Sequence, residues 1–525
     1  MTRAFTPPAA PGDLRRYRFG PLDQAGWLLG LDATQCVTLG AAILLGGIGL
    51  RATGSIVVAG VAVLVGGLVA FGRWDGRRAY EWAGPGVGWV MMRRRGHDHW
   101  TQPVTSIVAT DPDTRRAGAG GGGGGAAPCL EGIELFEVPW PYARAACAHG
   151  LGVVTDRSRA TFSATLRVRG REFALLERVD QEHVLDGWGN ALGAFAREHT
   201  PVTRIVWSEW AAPASLDDHL GFLREHHTTI PAGDTHAGLG DYLTLVSSAG
   251  PLTTAHDALV TVTVDRRRLI RARGQSPELA AVEALAEELR LFAARLEQAQ
   301  LVVDGPLSAA ELAHVIRLRL DPTCAPRLST RHQHAPESLG EAAGIVSAAA
   351  WSPMAVRVRW RHVEVDQSWH RSFWISGWPR QEVGPDWLTG VVLHPSGIRT
   401  LTVVYEPVAP SRSRRAIDRD ATRLASDEDQ RARRGFRIRA QHRRAEHEVF
   451  AREAELVAGY PELTYSGFFT ITAPTQDDLD AQTRDWEQTC AQAGLELRAL
   501  DGQHDLGIAI GLPVTAPLSR RGAGR

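Results

Sequence analysis

The sequence predicts an α+β protein whose folded body follows an N-terminal transmembrane helical hairpin. Three observations predict it. Two long apolar runs lie close together near the N-terminus, at Val37–Leu50 and Gly54–Gly72. Alternating strand patterns separated by helical patterns fill the chain beyond residue 128. A proline-free charged segment, Ser411–Gly459, interrupts the last of these patterns and reads as one long helix or a helical hairpin.

The chain has 525 residues, enough for about three domains at ~150 residues each. Hydrophobic residues make up 44% and charged residues 22%, so most of the chain can pack a core. The formal net charge of -1 gives no global pull toward nucleic acid or an anionic surface. All 58 basic residues are arginine. This excludes Schiff-base lysine chemistry and a Walker A loop, which needs lysine on the β/γ-phosphates. The cysteines Cys36, Cys129, Cys147, Cys324 and Cys490 form no CxxC pair, which argues for a reducing environment without a disulfide framework.

The segment before the apolar runs, residues 1–33, is basic and is expected in the cytoplasm. Residues 34–72 form the hairpin, with Arg51 in the connecting turn. Glycines such as Gly46-Gly47 and Gly66-Gly67 weaken a soluble helix but suit close packing of two membrane helices. Trp27, Arg73, Trp74, Arg77 and Arg78 flank the pair, where interfacial aromatic and basic anchors belong. Arginine outnumbers everything else charged on both flanks, whereas the turn holds only Arg51. The positive-inside rule therefore places both termini in the cytoplasm and the protein in the cell membrane. Residues 73–109 read as a basic, aromatic juxtamembrane segment. Within it, Gly84-Pro85-Gly86-Val87-Gly88 reads as a turn, since no strand precedes it as a nucleotide loop requires.

Residues 110–128 form a Gly-rich linker. A first α+β module is expected over 129–340 and a second over 341–525, with the charged insertion at 411–459. In the first module Phe162, Ala164, Leu166 and Val168 alternate with Ser163, Thr165, Arg167 and Arg169, which predicts a strand with one wet face. A helix follows over Glu177–Glu198, then a strand at Val202–Trp210 and another at Val260–Val264. Ser276-Pro277-Glu278 opens a helix with a cap and an N1 proline, and Leu285, Leu289, Phe292 and Leu296 line one face of it. A short strand closes the unit at Leu301–Val303. In the second module strands are expected at Val356–Val365, Arg371–Pro379, Thr400–Glu406 and Leu463–Pro474. Thr475 and Asp478 cap a further helix, and Leu506–Leu512 reads as the closing strand. The recurring strand–helix–strand theme predicts ferredoxin-like modules.

The candidate binding surface is the arginine cluster Arg431, Arg433, Arg434, Arg437, Arg439, Arg443 and Arg444. Its plain reading is a solvated, salt-bridged helix face. Its functional readings are contact with anionic lipid, with an acidic partner surface or with DNA phosphates. The histidine pairs His97/His99, His226/His227 and His332/His334 lack further ligands at metal spacing. No HExxH or GxSxG motif is present. Catalytic, cofactor and metal residues are therefore expected to be absent, and the protein is not expected to be an enzyme.

The motifs RYRFGPL (Arg16–Leu22), GIELFEVP (Gly132–Pro139), WISGWPRQEVGPDWL (Trp374–Leu388) and VVYEPVAPSRSRRAI (Val403–Ile417) resemble a family of actinobacterial two-span integral membrane proteins encoded among conjugation-type genes. So does GVVTDRSRATFSATLRVRGREFALL (Gly152–Leu176). The C-terminal stretch Ser466–Pro513 is similar to the non-motor domain of TraC/TraE-type conjugation ATPases, and the two-span start resembles their PrgI-type membrane partner. A full motor has a P-loop domain after that stretch, whereas this chain reaches Arg525 first and has no lysine for one. The resemblance implies a structural inner-membrane subunit of a conjugative, type IV secretion-like apparatus. Its body would dock a separate hexameric P-loop ATPase and other secretion subunits, and homo-oligomers and direct nucleic-acid contact stay open. The alternatives are an accessory subunit of another Gram-positive export system, type VII-like, and a membrane-anchored enzyme of unknown reaction.

Overall fold

The fold is described from a computed structural model. It describes residues 16, 17, 19, 33–74, 77–102, 126–140, 150–170, 172–213, 241–242, 244–245, 254–269, 276–325, 345–433 and 440–514. Helix and sheet are mixed, as an α+β fold requires.

Helices α1 (Ala33–Thr53) and α2 (Ile56–Phe71) contain the apolar runs. Helix α1 continues through Arg51, so the turn lies at Gly54-Ser55 and not at Arg51. Gly54 adopts φ +65 and its N–H donates to the Leu50 carbonyl at 2.8 Å, a cap that only glycine makes without strain. The second run was expected to be helical throughout, but α2 has 16 residues. That gives it roughly 24 Å at 1.5 Å per residue, short of the ~30 Å of a bilayer core. Among the described residues, α1 is the one helix long and apolar enough to cross a membrane.

After the two-stranded turn β1 (Arg73–Trp74) and β2 (Arg77–Arg78), the chain forms α3 (Ala79–Arg94). The Gly84–Gly88 stretch lies inside this helix, with Pro85 in its interior, and is not a turn. Tertiary packing overrides weak helix formers here. Trp82 and Trp89 both meet Trp360, and Glu81 receives a hydrogen bond from Arg498 at 3.0 Å.

Among the described residues the body carries one 14-stranded sheet. Its strands are β3 (His99–Thr101), β4 (Ile133–Val138), β5 (Leu151–Asp156), β6 (Thr161–Arg169), β7 (Val202–Pro213), β8 (Thr254–Asp265) and β9 (Val302–Pro306), followed by β10 (Ile345–Val346), β11 (Ala355–Val358), β12 (Val363–Val365), β13 (Ser368–Gly377), β14 (Ile398–Pro407), β15 (Leu463–Ala473) and β16 (Glu496–Ala499). The stretch Val356–Val365 was expected to be one strand. It is the two strands β11 and β12, because the chain reverses where the Arg359 N–H donates to the His362 carbonyl.

Two units share a strand order. In the first, β9-β6-β8-β7 pair antiparallel, with α4 (Arg178–Gly193) between β6 and β7 and α5 (Pro277–Gln298) between β8 and β9. In the second, β16-β13-β15-β14 pair in the same order. Here a one-turn helix, Thr389–Val392, stands in the crossover, and α9 (Gln476–Gln492) joins β15 to β16. A hairpin precedes each unit, β4–β5 and β11–β12. The units join where β7 pairs antiparallel with β14, from Arg399↔Ala211 to Tyr405↔Ile205. The sheet crosses the expected 340/341 division twice more: β10 pairs with β4, and β3 pairs with β11.

The outer face of the sheet packs under α4 and α5 in one cluster and under α9 in another. Leu285, Leu289, Phe292 and Leu296 are fully buried there, the helical face the sequence marks. Ser276 caps α5 by accepting from the Leu279 N–H, and Thr475 caps α9 through the Asp478 N–H. The inner face packs under α6 (Ala309–Leu320) and α10 (His504–Gly511). The stretch Leu506–Leu512 was read as a strand and is mostly α10. All its helical residues are buried, so it shows no periodicity that separates helix from strand. Gly507 lets this helix lie directly on β13: a Cβ there would meet Ser372 Cβ at 2.2 Å.

The predicted wet face of β6 is wet only at its end, where Arg167 is half-buried and Arg169 exposed. Ser163 and Thr165 are fully covered, because the inner face of β6 meets a second layer instead of water. The charged segment is a helical hairpin, α7 (Pro410–Arg433) and α8 (Ala440–Val457), inserted between β14 and β15. Arg452 of α8 pairs with Asp420 of α7 at 3.4 Å.

Gly152 tests the inner layer. A Cβ there would sit 2.7 Å from the Ala309 nitrogen and 2.6 Å from Leu312 Cδ1. Gly152→Ala therefore pushes α6 off β5 and lowers stability by about 1–3 kcal/mol, read as a lower thermal midpoint of the purified chain.

Candidate functional site

Two places are candidates: the apolar helix pair with its flanks, which sequence analysis singled out, and the polar layer beneath the sheet. In the helix pair, small residues make the contact. A Cβ on Gly66 would fall 2.1 Å from Ala42 Cβ, and one on Gly46 would fall 3.2 Å from the Ala59 carbonyl oxygen. Gln35 donates from Nε2 to the Ala70 carbonyl at 3.0 Å, a polar contact turned inward between the helices. The large apolar side chains point the other way. Leu44 is 68% exposed and Ile56 78%, and Val37, Ile43, Leu45, Leu64 and Leu68 resemble them. A belt of this kind covers far more contiguous apolar surface than a soluble monomer shows to water.

Both flanks of the pair return to the same unit of the body. On the N-terminal side Tyr17 forms a bridge with Val383, its N–H donating to the Val383 carbonyl at 2.9 Å. Phe19 stacks on Trp378 at 5.2 Å and meets Trp387 edge-on at 5.1 Å, close to Tyr465. These rings fill the outer face of the second unit where the crossover has only a one-turn helix. On the C-terminal side α3 packs against Trp360, and its Met92 enters the inner core.

Of the expected interface residues, Arg51 is exposed in the last turn of α1 and Arg73 is exposed on β1. Trp74 and Arg77 lie on β1 and β2, and Arg78 donates to the Tyr80 hydroxyl at 3.0 Å. Trp27 lies outside the described residues. In the arginine cluster, Arg431 and Arg433 end α7, and Arg443 and Arg444 begin α8, which brings them to one end of the helical hairpin. Arg433 is exposed. Arg434, Arg437 and Arg439 lie outside the described residues, as do His226/His227 and His332/His334. His97 and His99 are exposed. Among the described residues no group of three or more His, Cys, Asp or Glu could hold a metal ion.

The polar layer was not foreseen. Arg319, near the C-terminal end of α6, is 4% exposed. Its Nη1 donates to Ser208 Oγ of β7 at 2.9 Å and to the Gly511 carbonyl of α10 at 3.1 Å. Its Nη2 donates to the Asp257 carboxylate and carbonyl of β8, each at 3.1 Å. Arg167 of β6 shares the same carboxylate at 3.0 Å. Burial pushes the Arg319 guanidinium below its ordinary pKa, and Asp257 opposes that shift.

Beside it, His370 of β13 donates from Nε2 to the Leu320 carbonyl at 2.8 Å, so its Nδ1 accepts from the Thr472 hydroxyl at 2.9 Å. Ser368 donates to Asp321 at 2.8 Å. His504 of α10 accepts on Nδ1 from the Ser372 N–H at 3.1 Å. Burial lowers the pKa of His370 to about 4 and of His504 to about 3. Arg319, His370, Thr400, Thr470 and Thr472 line a small cavity with room for about one water. Its hydrogen bonds make the layer a polar joint between the two units. The signal for it was the choice of Ser and Thr as polar partners in the alternating strands, since these bury at far lower cost than charged side chains.

No protein-family model matches the chain, and no curated protein is similar to it.

The joint gives two predictions. Arg319→Ala removes one of the two arginines on Asp257 and leaves the Ser208 hydroxyl and the Gly511 carbonyl without their buried donor. It destabilises the chain by about 1–3 kcal/mol, whereas Arg319→Met costs less, and chemical denaturation of both variants measures the difference. The buried histidines set an acid limit. Their folded pKa values lie below the ordinary 6.5, so the unfolded chain binds more protons as pH falls. The stability they confer is complete above pH 6.5 and is lost progressively toward pH 4, by about 1.4 kcal/mol per pH unit for each histidine. His370→Gln makes that slope shallower in a series of thermal melts.

Proposed function

We propose that this protein is a membrane-anchored structural subunit of a conjugative, type IV secretion-like transfer apparatus, docking a separate P-loop ATPase through its body. The observation that carries the membrane part is the helix pair: its large apolar side chains face outward, its small and polar ones face inward, and both its flanks return to one unit of the body. An outward apolar belt needs lipid or a protein cover, and a shared attachment of the flanks fits two spans with both ends on one side. Helix α2 is short for a span, and tilting of the pair or local thinning of the bilayer accommodates such a mismatch. In this reading Arg51 lies near the far headgroups, where its guanidinium reaches water.

The strand orders β9-β6-β8-β7 and β16-β13-β15-β14 support reading the two units as ferredoxin-like modules. The transfer role rests on the resemblance of the sequence motifs to conjugation-associated membrane proteins and to the non-motor part of their ATPases. The body is the proposed docking surface, because the turn between α1 and α2 is too short to form a domain on the other side.

Purification of the full chain from its native membranes in mild detergent should recover a P-loop ATPase. Recovery of the chain alone, in repeated gentle extractions, contradicts the docking role. Gly66→Leu should separate α1 from α2, lower the amount of chain in the membrane fraction and reduce the recovered ATPase in proportion.

A further inference from the structure

Helix α7 carries a basic stripe distinct from the arginine cluster at the hairpin's tip. Its inward face is set by Ser413 and Ile417, both buried, and by Asp420, which pairs with Arg452 of α8. Away from that face, Arg412, Arg415, Arg419 and Arg423 follow one another at helical spacing, and all are exposed. The positions between them on the stripe hold no acid, Ser426 continues the stripe, and Asp418 and Asp420 fall on other faces of the helix. The stripe is about 17 Å long at 1.5 Å per residue. Four guanidinium groups in a row match an extended, flat array of negative charge better than a single ligand.

The position of the stripe selects the kind of array. Helix α7 starts directly after β14, whose Tyr405 pairs with Tyr465 of β15. Tyr465 meets Trp378 at 5.2 Å, in the aromatic group that holds Phe19. The base of the stripe therefore lies at the end of the sheet that receives the N-terminal flank of the apolar pair. We infer that the α7 stripe binds the anionic headgroups of the membrane in which the helix pair sits, laying the charged hairpin along the cytoplasmic leaflet. This rests on the membrane reading of α1 and α2. It gives the hairpin a second attachment, electrostatic and salt-sensitive, beside the apolar one.

The test is hydrogen exchange of the full chain in nanodiscs of phosphatidylcholine alone and of phosphatidylcholine with phosphatidylglycerol. The expected result is slower exchange across α7 in the anionic discs, by at least about fivefold, the factor contributed by one surface arginine. High salt removes the effect, as does Arg412→Gln with Arg415→Gln and Arg419→Gln. Arg414→Gln, off the stripe, leaves it intact. Equal α7 exchange in both discs, with α1 amides protected in both, overturns the inference while sparing the anchor. Unprotected α1 amides in both discs overturn the anchor and the inference together. Slowing of α7 by duplex DNA but not by phosphatidylglycerol also overturns it, in favour of nucleic acid.

Discussion

The architecture depends on one buried guanidinium. Arg319 sits on the helix that follows the first unit, yet its hydrogen bonds reach two strands of that unit and the last helix of the second. A buried arginine is tolerated only when its donors find acceptors and its charge finds a partner. Ser208, Asp257 and the Gly511 carbonyl supply acceptors to both Nη atoms and a partner to the charge, though Nε finds no acceptor among the described residues. They do so only when the inner helices α6 and α10 meet beneath the junction of β7 with β14. Ion pairs of this kind contribute little net stability, but they penalise every arrangement in which the partners are apart. Two units with the same strand order have many ways to pair through their edges. The Arg319 site specifies one of them.

The polar layer around Arg319 also explains why this sheet, covered on both faces, is not uniformly apolar. Threonine and serine on the inner side bond to each other across strands, as Thr165 does with Thr261 and Ser372 with Thr470. The outer side carries two apolar cores, and a third lies on the inner side around the polar layer, beneath α6 and α10. A joint built from short polar side chains holds the inner helices in register, whereas an all-apolar face would let them slide. The rigid body that results holds both flanks of the apolar helix pair, through Phe19 among its tryptophans and through α3 against Trp360.

The sequence made the outer half of this fold legible and hid the inner half. Helix α5 announced itself through Ser276, Pro277 and the stripe from Leu285 to Leu296, because one of its faces is wet and the other dry. Strand β6 showed its alternation, but Ser163 and Thr165 were taken to face water. Their burial depends on α6, which lies far away in the chain and leaves no local trace. Helix α10 was mistaken for a strand for the related reason that every side of it is covered. Gly84–Gly88 became helical through contacts of the flanking tryptophans with Trp360, a tertiary effect that local propensity opposes. Of the candidate residues, Arg51 and Arg73 were legible as exposed charges beside apolar helices. The Arg319–Asp257 pair was not, since the pairing joins positions brought together only by the complete sheet. The stripe on α7 was present in the sequence as spacing, and became visible once Ser413 and Ile417 fixed which face is inward.

The central claim is that a pair of membrane helices holds the whole body on one side of a bilayer. Labelling intact cells with a membrane-impermeant thiol reagent tests it directly, using Ser55→Cys in the turn between α1 and α2 and Ser426→Cys on the exposed face of α7. The account predicts that Ser55→Cys reacts in intact cells and that Ser426→Cys reacts only after lysis. Protection of Ser55→Cys until lysis, or reaction of both positions in intact cells, contradicts it.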